Sequence, residues 1–143
     1  MMEATEKDTE RAEQQARAQL DSIVEVVQAI ATAQATDEPV EYEGEMLDRD
    51  TLIQYAEENA LCVQVRGDWH SPGGEDEPVE FEILLCTGGP AVRIVGDLGN
   101  LNCPENPRIE YQDWFTPWME YHETTPAEDS DLQEYCELFY FGE

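Results

Sequence analysis

Residues 79–95, VEFEILLCTGGPAVRIV, decide the fold. Val79, Phe81, Ile83 and Leu85 alternate with Glu80, Glu82 and Leu84, a period of two that turns one row toward a core and the other outward. Val92 and Ile94 flank Arg93 in the same rhythm. Between them Thr87–Pro90 (TGGP) holds the glycines and proline that a tight reversal uses, so two antiparallel neighbours are expected. Upstream, Leu61, Val63 and Val65 alternate with Cys62, Gln64 and Arg66 and supply a third strand, joined through the loop Gly67–Pro78 (GDWHSPGGEDEP). A fourth strand fits Arg108–Asp113, after a Gly/Asn/Pro-rich loop at Gly96–Pro107. The economical topology is an antiparallel meander of three to four strands.

Helices flank that sheet in the sequence. From Ala16 to Ala31 the apolar residues fall at Ala16, Leu20, Ile23, Val24, Val27, Ile30 and Ala31, the three-four spacing of one helix face. Asp37, Glu38 and Pro39 end it. Residues 1 to 15 are polar throughout and read as an N-terminal extension, frayed or helical and exposed; residues 16 to 143 read as a single acidic domain. Val40–Met46 (VEYEGEM) alternates as a short strand or extended arm. Asp48 or Asp50 can cap a second helix over Arg49–Asn59, with Leu52, Ile53, Tyr55 and Ala56 inward. Ala127–Tyr140 predicts a third, with Leu132, Tyr135, Cys136 and Phe139 on one face and Glu128, Asp131, Glu134 and Glu137 outside. The expected class is α+β, a small antiparallel meander with N-terminal, middle and C-terminal helices packed on one face.

The charge is extreme. Thirty-four acids stand against seven basic residues, a formal net charge of -27 over 143 residues. Three of the seven cations (Lys7, Arg11, Arg17) lie in the first seventeen residues, and from Asp37 onward 27 acids face four arginines. Residues 109–143 hold ten carboxylates and no cation, yet Trp114, Phe115, Trp118, Tyr121, Leu132, Tyr135 and Phe139 run through them, so that stretch is expected to fold. Such charge excludes direct binding to nucleic acid or an anionic membrane and favours a basic protein surface as partner. No apolar run approaches the ~18 residues of a membrane span. Cys62, Cys86, Cys103 and Cys136 show no framework spacing and read as reduced thiols, so a cytoplasmic protein is expected.

Acidic spacing supplies the candidate partner-binding residues. Glu41, Glu43 and Glu45 share a face if that segment is extended, as do Glu80 and Glu82, and every second strand residue advances ~6.6 Å, close to two axial steps of a DNA strand. On the last helix Asp131, Glu134 and Glu137 lie three apart, ~5–6 Å between neighbours. Glu75, Asp76 and Glu77 add a cluster at a hairpin tip. Arg66 and Arg93 stand where they can pair across strands with Glu80 and Glu82 and cancel part of the array. Trp69, in a Gly/Pro loop, is the candidate exposed anchor, whereas Trp114, Phe115, Trp118 and Tyr121 (DWFTPWMEY) are expected to close the core before serving as an interface.

Catalytic patterns are missing. His70 and His122 have no local nucleophile signature with Cys86 or Cys103, and two histidines with scattered cysteines make no zinc pattern. Asp48-Arg49-Asp50 and Asp129-Ser130-Asp131 lack the ligand spacing and glycine of a calcium loop. GDLGN at 96–100 lacks the lysine and following helix of a phosphate loop. No catalytic residue, metal or cofactor is expected, and the chain reads as a non-enzyme.

Small size, extreme acidity, an α+β pattern and no catalytic motif together resemble the DNA-mimic inhibitors encoded by phages and mobile elements, anti-CRISPR and anti-restriction proteins among them. The segments TGGPAVRIVGDL and EYQDWFTPW are also similar to small phage-associated proteins of unassigned activity. The resemblance implies a stoichiometric inhibitor in the host cytoplasm that blocks a CRISPR effector complex, restriction enzyme or other nuclease. Two alternatives stand beside it: an immunity or antitoxin-type protein neutralising a basic toxin nuclease, and a generic acidic domain of a high-salt cytoplasm. A homodimer also stays open, since the helix at Ala16–Ala31 can pack on its own sheet or on a second copy.

Overall fold

In a computed structural model of the chain, residues 6–67, 69, 71–73, 78–87, 90–99, 102–113, 117–139 and 141 are described. The strand alternation resolves into five antiparallel strands, β3 (Cys62–Gly67), β4 (Pro78–Cys86), β5 (Ala91–Leu98), β6 (Pro104–Gln112) and β7 (Met119–Glu120), in spatial order β3-β4-β5-β6-β7. That is a meander, as the turn chemistry requires, with one strand more than expected. One segment expected as a loop is cut short by pairing, since Leu98 faces Pro104 and β5 and β6 run on into Gly96–Pro107; the added strand is β7, which pairs Glu120 with Glu110.

Register fixes two faces. Ile83, Ile94 and Ile109 sit opposite one another and are buried, as are Phe81, Val92 and Tyr111. Gly96 faces Phe81, and a Cβ there would lie 2.6 Å from the Phe81 ring and 2.8 Å from the Glu105 carbonyl oxygen, so only glycine admits the ring. The other face carries Glu80, Glu82, Leu84, Arg93, Val95, Asp97, Arg108 and Glu110, all half-buried.

α1 (Glu6–Thr36) packs against β5, β6 and both other helices and begins ten residues before the expected Ala16. Its buried stripe runs Ala12, Ala16, Leu20, Ile23, Val26, Val27, Ile30 and Ala33. The segment through residue 15 is therefore not simply an exposed extension: Ala12 is 1% exposed, and Arg11 donates to Asp113 at 3.1 Å. Asp37, at φ 54, takes the left-handed turn that ends the helix before Pro39.

Val40–Met46 is not one extended arm. β1 (Val40–Tyr42) and β2 (Glu45–Leu47) form a hairpin whose turn residues, Glu43 (φ 51) and Gly44 (φ 84), both have positive φ, the signature of a type I′ reversal. α2 (Arg49–Glu58) starts at the cap Asp48, which accepts from Thr51 N at 2.8 Å, and buries Leu52 and Ala56. α3 (Pro126–Cys136) opens with a capping box between Thr125 and Glu128 and ends four residues before the expected Tyr140. Leu132, Tyr135 and Cys136 are its buried face, and Phe139, past its end, packs edge-on against Tyr135.

Candidate functional site

The two ends of the chemistry separate in space. On the open face of the sheet, two arginines are paired with carboxylates of the same sheet. Arg93 sends Nη1 to Glu82 and Nη2 to Glu110, each at 2.7 Å, and its guanidinium lies 4.1 Å over the Trp118 ring. Arg66 bonds Glu80 at 2.7 Å, and Arg108 donates to the Asn106 carbonyl. Register lays these groups out in cross-strand rows: Arg66, Glu80, Asp97 and Glu105 form one, and Leu84, Arg93, Glu110 and Glu120 another. A shallow depression between them is lined by Gln64, Glu82, Val95 and Arg108.

The other arginines clamp elements together. Arg17 holds Glu128 through two hydrogen bonds, one of 3.2 Å, and Asp21 at 2.8 Å, tying α1 to the first turn of α3. The Arg17 bonds, with the Thr125 backbone, hold the Glu128 carboxyl below the usual carboxylate range. Arg11 engages Asp113, whose side chain is 2% exposed. Arg49 stays local, 3.5 Å from Asp50. All six arginines thus donate to, or pair with, groups of the same chain.

Part of what remains lines the hairpin and the C-terminal ends of the helices. Between residues 37 and 58 nine acids accompany one arginine. Asp37, Glu38, Glu41, Glu43, Glu45, Glu57 and Glu58 are all exposed. The belt has a rigid foundation: Tyr42 meets Tyr55 edge-on at 5.4 Å, and the Tyr55 hydroxyl donates to Glu43 at 2.8 Å. Burial and neighbouring carboxylates push Tyr42 up to about 12. Tyr135 donates to the Ala56 carbonyl at 3.2 Å, which joins the last turns of α2 and α3. The last turns therefore carry Glu57 and Glu58 on one helix and Glu134 on the other, with Glu137 as its C-cap, and no basic residue lies in the last turn of any of the three helices.

The expected site residues divide accordingly. Glu80 and Glu82 do share a face, but Arg66 and Arg93 have claimed them. Glu41, Glu43 and Glu45 do not share one: Glu41 faces Met46, Glu45 faces Tyr42, and Glu43 occupies the turn. Glu134 and Glu137 are exposed and Asp131 half-buried. Trp69 is 98% exposed. Within the aromatic cluster Tyr121 is buried, whereas Trp118 covers Arg93 on the open face; Trp114 and Phe115 lie outside the described residues, as do His70 and Glu75–Glu77. Sequence reading overlooked Glu57 and Glu58, which spacing on α2 could have offered, and the Thr125–Glu128 capping box, whose pattern stands in the chain.

Burial raises the Cys86 and Cys136 thiols, the reverse of what activates a nucleophile. Among the described residues no group of three or more His, Cys, Asp or Glu is arranged to hold a metal ion, and no helix is long and apolar enough to cross a membrane. Comparison with protein-family models, curated proteins and solved structures finds no match to the chain.

Proposed function

We propose that this chain is a non-enzymatic inhibitor whose acidic belt occupies the cation-lined groove of a nucleic-acid-binding protein, with anti-CRISPR or anti-restriction activity as its setting. The observation that carries the reading is where the acids without an arginine partner sit. Glu57, Glu58, Glu134 and Glu137 lie at helix C-termini, where a negative charge opposes the macrodipole and destabilises by about 0.3–1 kcal/mol each. Glu43 holds a left-handed backbone that a non-glycine residue adopts at a cost of about 1–2 kcal/mol. Acids selected only for solubility would fall on positions the fold tolerates better. A surface retained against local stability points to recognition.

The belt would compete with nucleic acid through Coulomb attraction and counterion release. The test is affinity capture from host lysate at low salt with three baits: wild type, a belt variant (Glu41→Lys, Glu43→Lys, Glu57→Lys, Glu134→Lys) and a sheet-face variant (Asp97→Lys, Glu105→Lys). Wild type and the sheet-face variant are expected to retain a nucleic-acid-binding protein that added duplex DNA releases, and the belt variant to lose it. Undiminished capture by the belt variant, or capture indifferent to DNA, overturns the proposal.

A further inference from the structure

One edge of the sheet carries a different chemistry from the rest of the surface. β3 is the terminal strand, and among the described residues no strand pairs with its outer side. Val63 faces Ile83 and Val65 faces Phe81, so both belong to the core-side face, yet they are 38% and 42% exposed, and Leu61 before them is 59% exposed. The helices cover Phe81 and Ile83 but not the row beyond. Unprotected edges usually carry proline, an inward charge or a bulge in mid-strand. Here the only register shift is at Arg66/Gly67, and Leu61–Gly67 (LCVQVRG) contains neither proline nor any of the chain's 34 acids. The single charge, Arg66, is taken up by Glu80 of the same sheet.

We infer that β3 is a self-association edge on which a second copy of this chain adds its own β3, antiparallel, to make a ten-stranded sheet across a two-fold axis. The second copy is the favoured occupant because an apolar edge without acids, symmetric about Gln64 with Val63 and Val65 on either side, matches another of the same kind, and the basic groove that suits the acidic belt finds no acid here to engage. The register follows from the side-chain pattern. A two-fold axis perpendicular to the sheet keeps the core-side rows on one side only when the paired residue numbers sum to an even value. The even sum giving the longest overlap of Leu61–Gly67 centres the axis on Gln64. Val63 then faces Val65 of the second copy, and Cys62 faces Arg66. The apolar rows merge, and the belts, borne on the hairpin and helix ends, are left free on both copies.

Because the two copies carry like charge, screening should favour the dimer, whereas salt weakens any complex with a basic partner; the Debye length falls from ~30 Å at 0.01 M to ~10 Å at 0.1 M salt. Sedimentation of the full chain across a concentration series is expected to show a monomer–dimer equilibrium that tightens with salt. Val63→Lys with Val65→Lys is expected to weaken it at least about tenfold, and because both side chains are surface-exposed the far-UV spectrum should not change. Gln64→Cys, with Cys62→Ser and Cys103→Ser, is expected to cross-link to itself with a short bis-maleimide, and a cysteine at Gln28 on exposed α1 is not. A monomer at every concentration and salt, a dimer indifferent to the double lysine change, or cross-linking equal at Gln64 and Gln28 each overturns the inference. None of these outcomes bears on the acidic belt, so the two proposals stand or fall separately.

Discussion

The open face of the sheet and the belt at the helix ends are built from the same residue types and come to opposite electrostatic ends. On the sheet, Arg93 lies between Glu82 and Glu110, and Arg66 beside Glu80, so carboxylates become part of the fold's own cross-strand pairing. On the belt, nine acids between residues 37 and 58 have Arg49 alone among them. The difference teaches that net charge is a poor guide to a binding surface: which acids face a partner depends on where the few cations were placed.

The largest expected effect tests whether the belt is the binding surface. Reversal of Glu41, Glu43, Glu57 and Glu134 to Lys together should weaken retention of a basic partner about 100-fold, while Asp97→Lys with Glu105→Lys on the sheet should change it only a few-fold; titration by calorimetry or interferometry at fixed salt decides. Next come changes that break the sheet itself. Gly96→Ala forces a Cβ into the Phe81 ring and the Glu105 carbonyl and is expected to destabilise by about 1–3 kcal/mol in urea unfolding, without altering the charge of either region. Arg93→Ala leaves Glu82 and Glu110 half-buried without their shared cation and uncovers Trp118; a loss of about 1–3 kcal/mol is expected, and a loss near zero would show that the face is not held by its pairing.

A smaller effect appears in pH. Glu128 has its carboxyl lowered by Arg17 and Thr125, and its side chain is 14% exposed. A group lowered in the folded state adds stability that is fully present above its unfolded value, about 4.3, and that is lost as pH falls through the folded one. Wild type should therefore exceed Glu128→Gln in urea midpoint at pH 6, and the two should converge as pH drops below about 4. A gap that widens on acidification would reverse the sign and remove Arg17 as its cause.

Much of this comparison was legible in the sequence, and the parts that were not have identifiable reasons. Residues 79–95 gave the two central strands and the charged outer row because their alternation is uninterrupted, and Asp48 and Asp50 together announced α2, with Asp48 the cap. The hairpin was misread because Glu43-Gly44 is not the Asn-Gly or Asp-Gly pair that signals a type I′ turn, so VEYEGEM looked like one strand. The start of α1 escaped because its buried face there consists of Ala12 and Ala16 among charges. The second half of β6 lies where a strand is expected, from Arg108 on, but its first half hid behind Pro104, Asn106 and Pro107, with Asn106 at φ 52 absorbing an irregularity that reads as loop. Alternation in Leu61–Val65 told which way the side chains point but not that no helix would reach them. Pairing partners across more than a hundred residues, Arg11 with Asp113 and Arg17 with Glu128, have no local signal at all.

The smallest effect is the most telling about why the belt exists. If Glu58, Glu134 and Glu137 are kept for a partner, each opposes its own helix, and replacing them by Lys should stabilise the free protein by about 0.3–1 kcal/mol apiece while weakening partner binding. Thermal unfolding at low salt reads the first sign and the binding titration the second. If stability rises and binding is untouched, the acids serve solubility alone. A halophilic origin predicts a further pattern, an unfolding midpoint that collapses in low salt for wild type and recovers in the lysine variants, since screening of self-repulsion would then be what holds the native state. Opposite signs in stability and binding, with a midpoint little changed by salt, single out recognition as the reason that carboxylates occupy these helix ends.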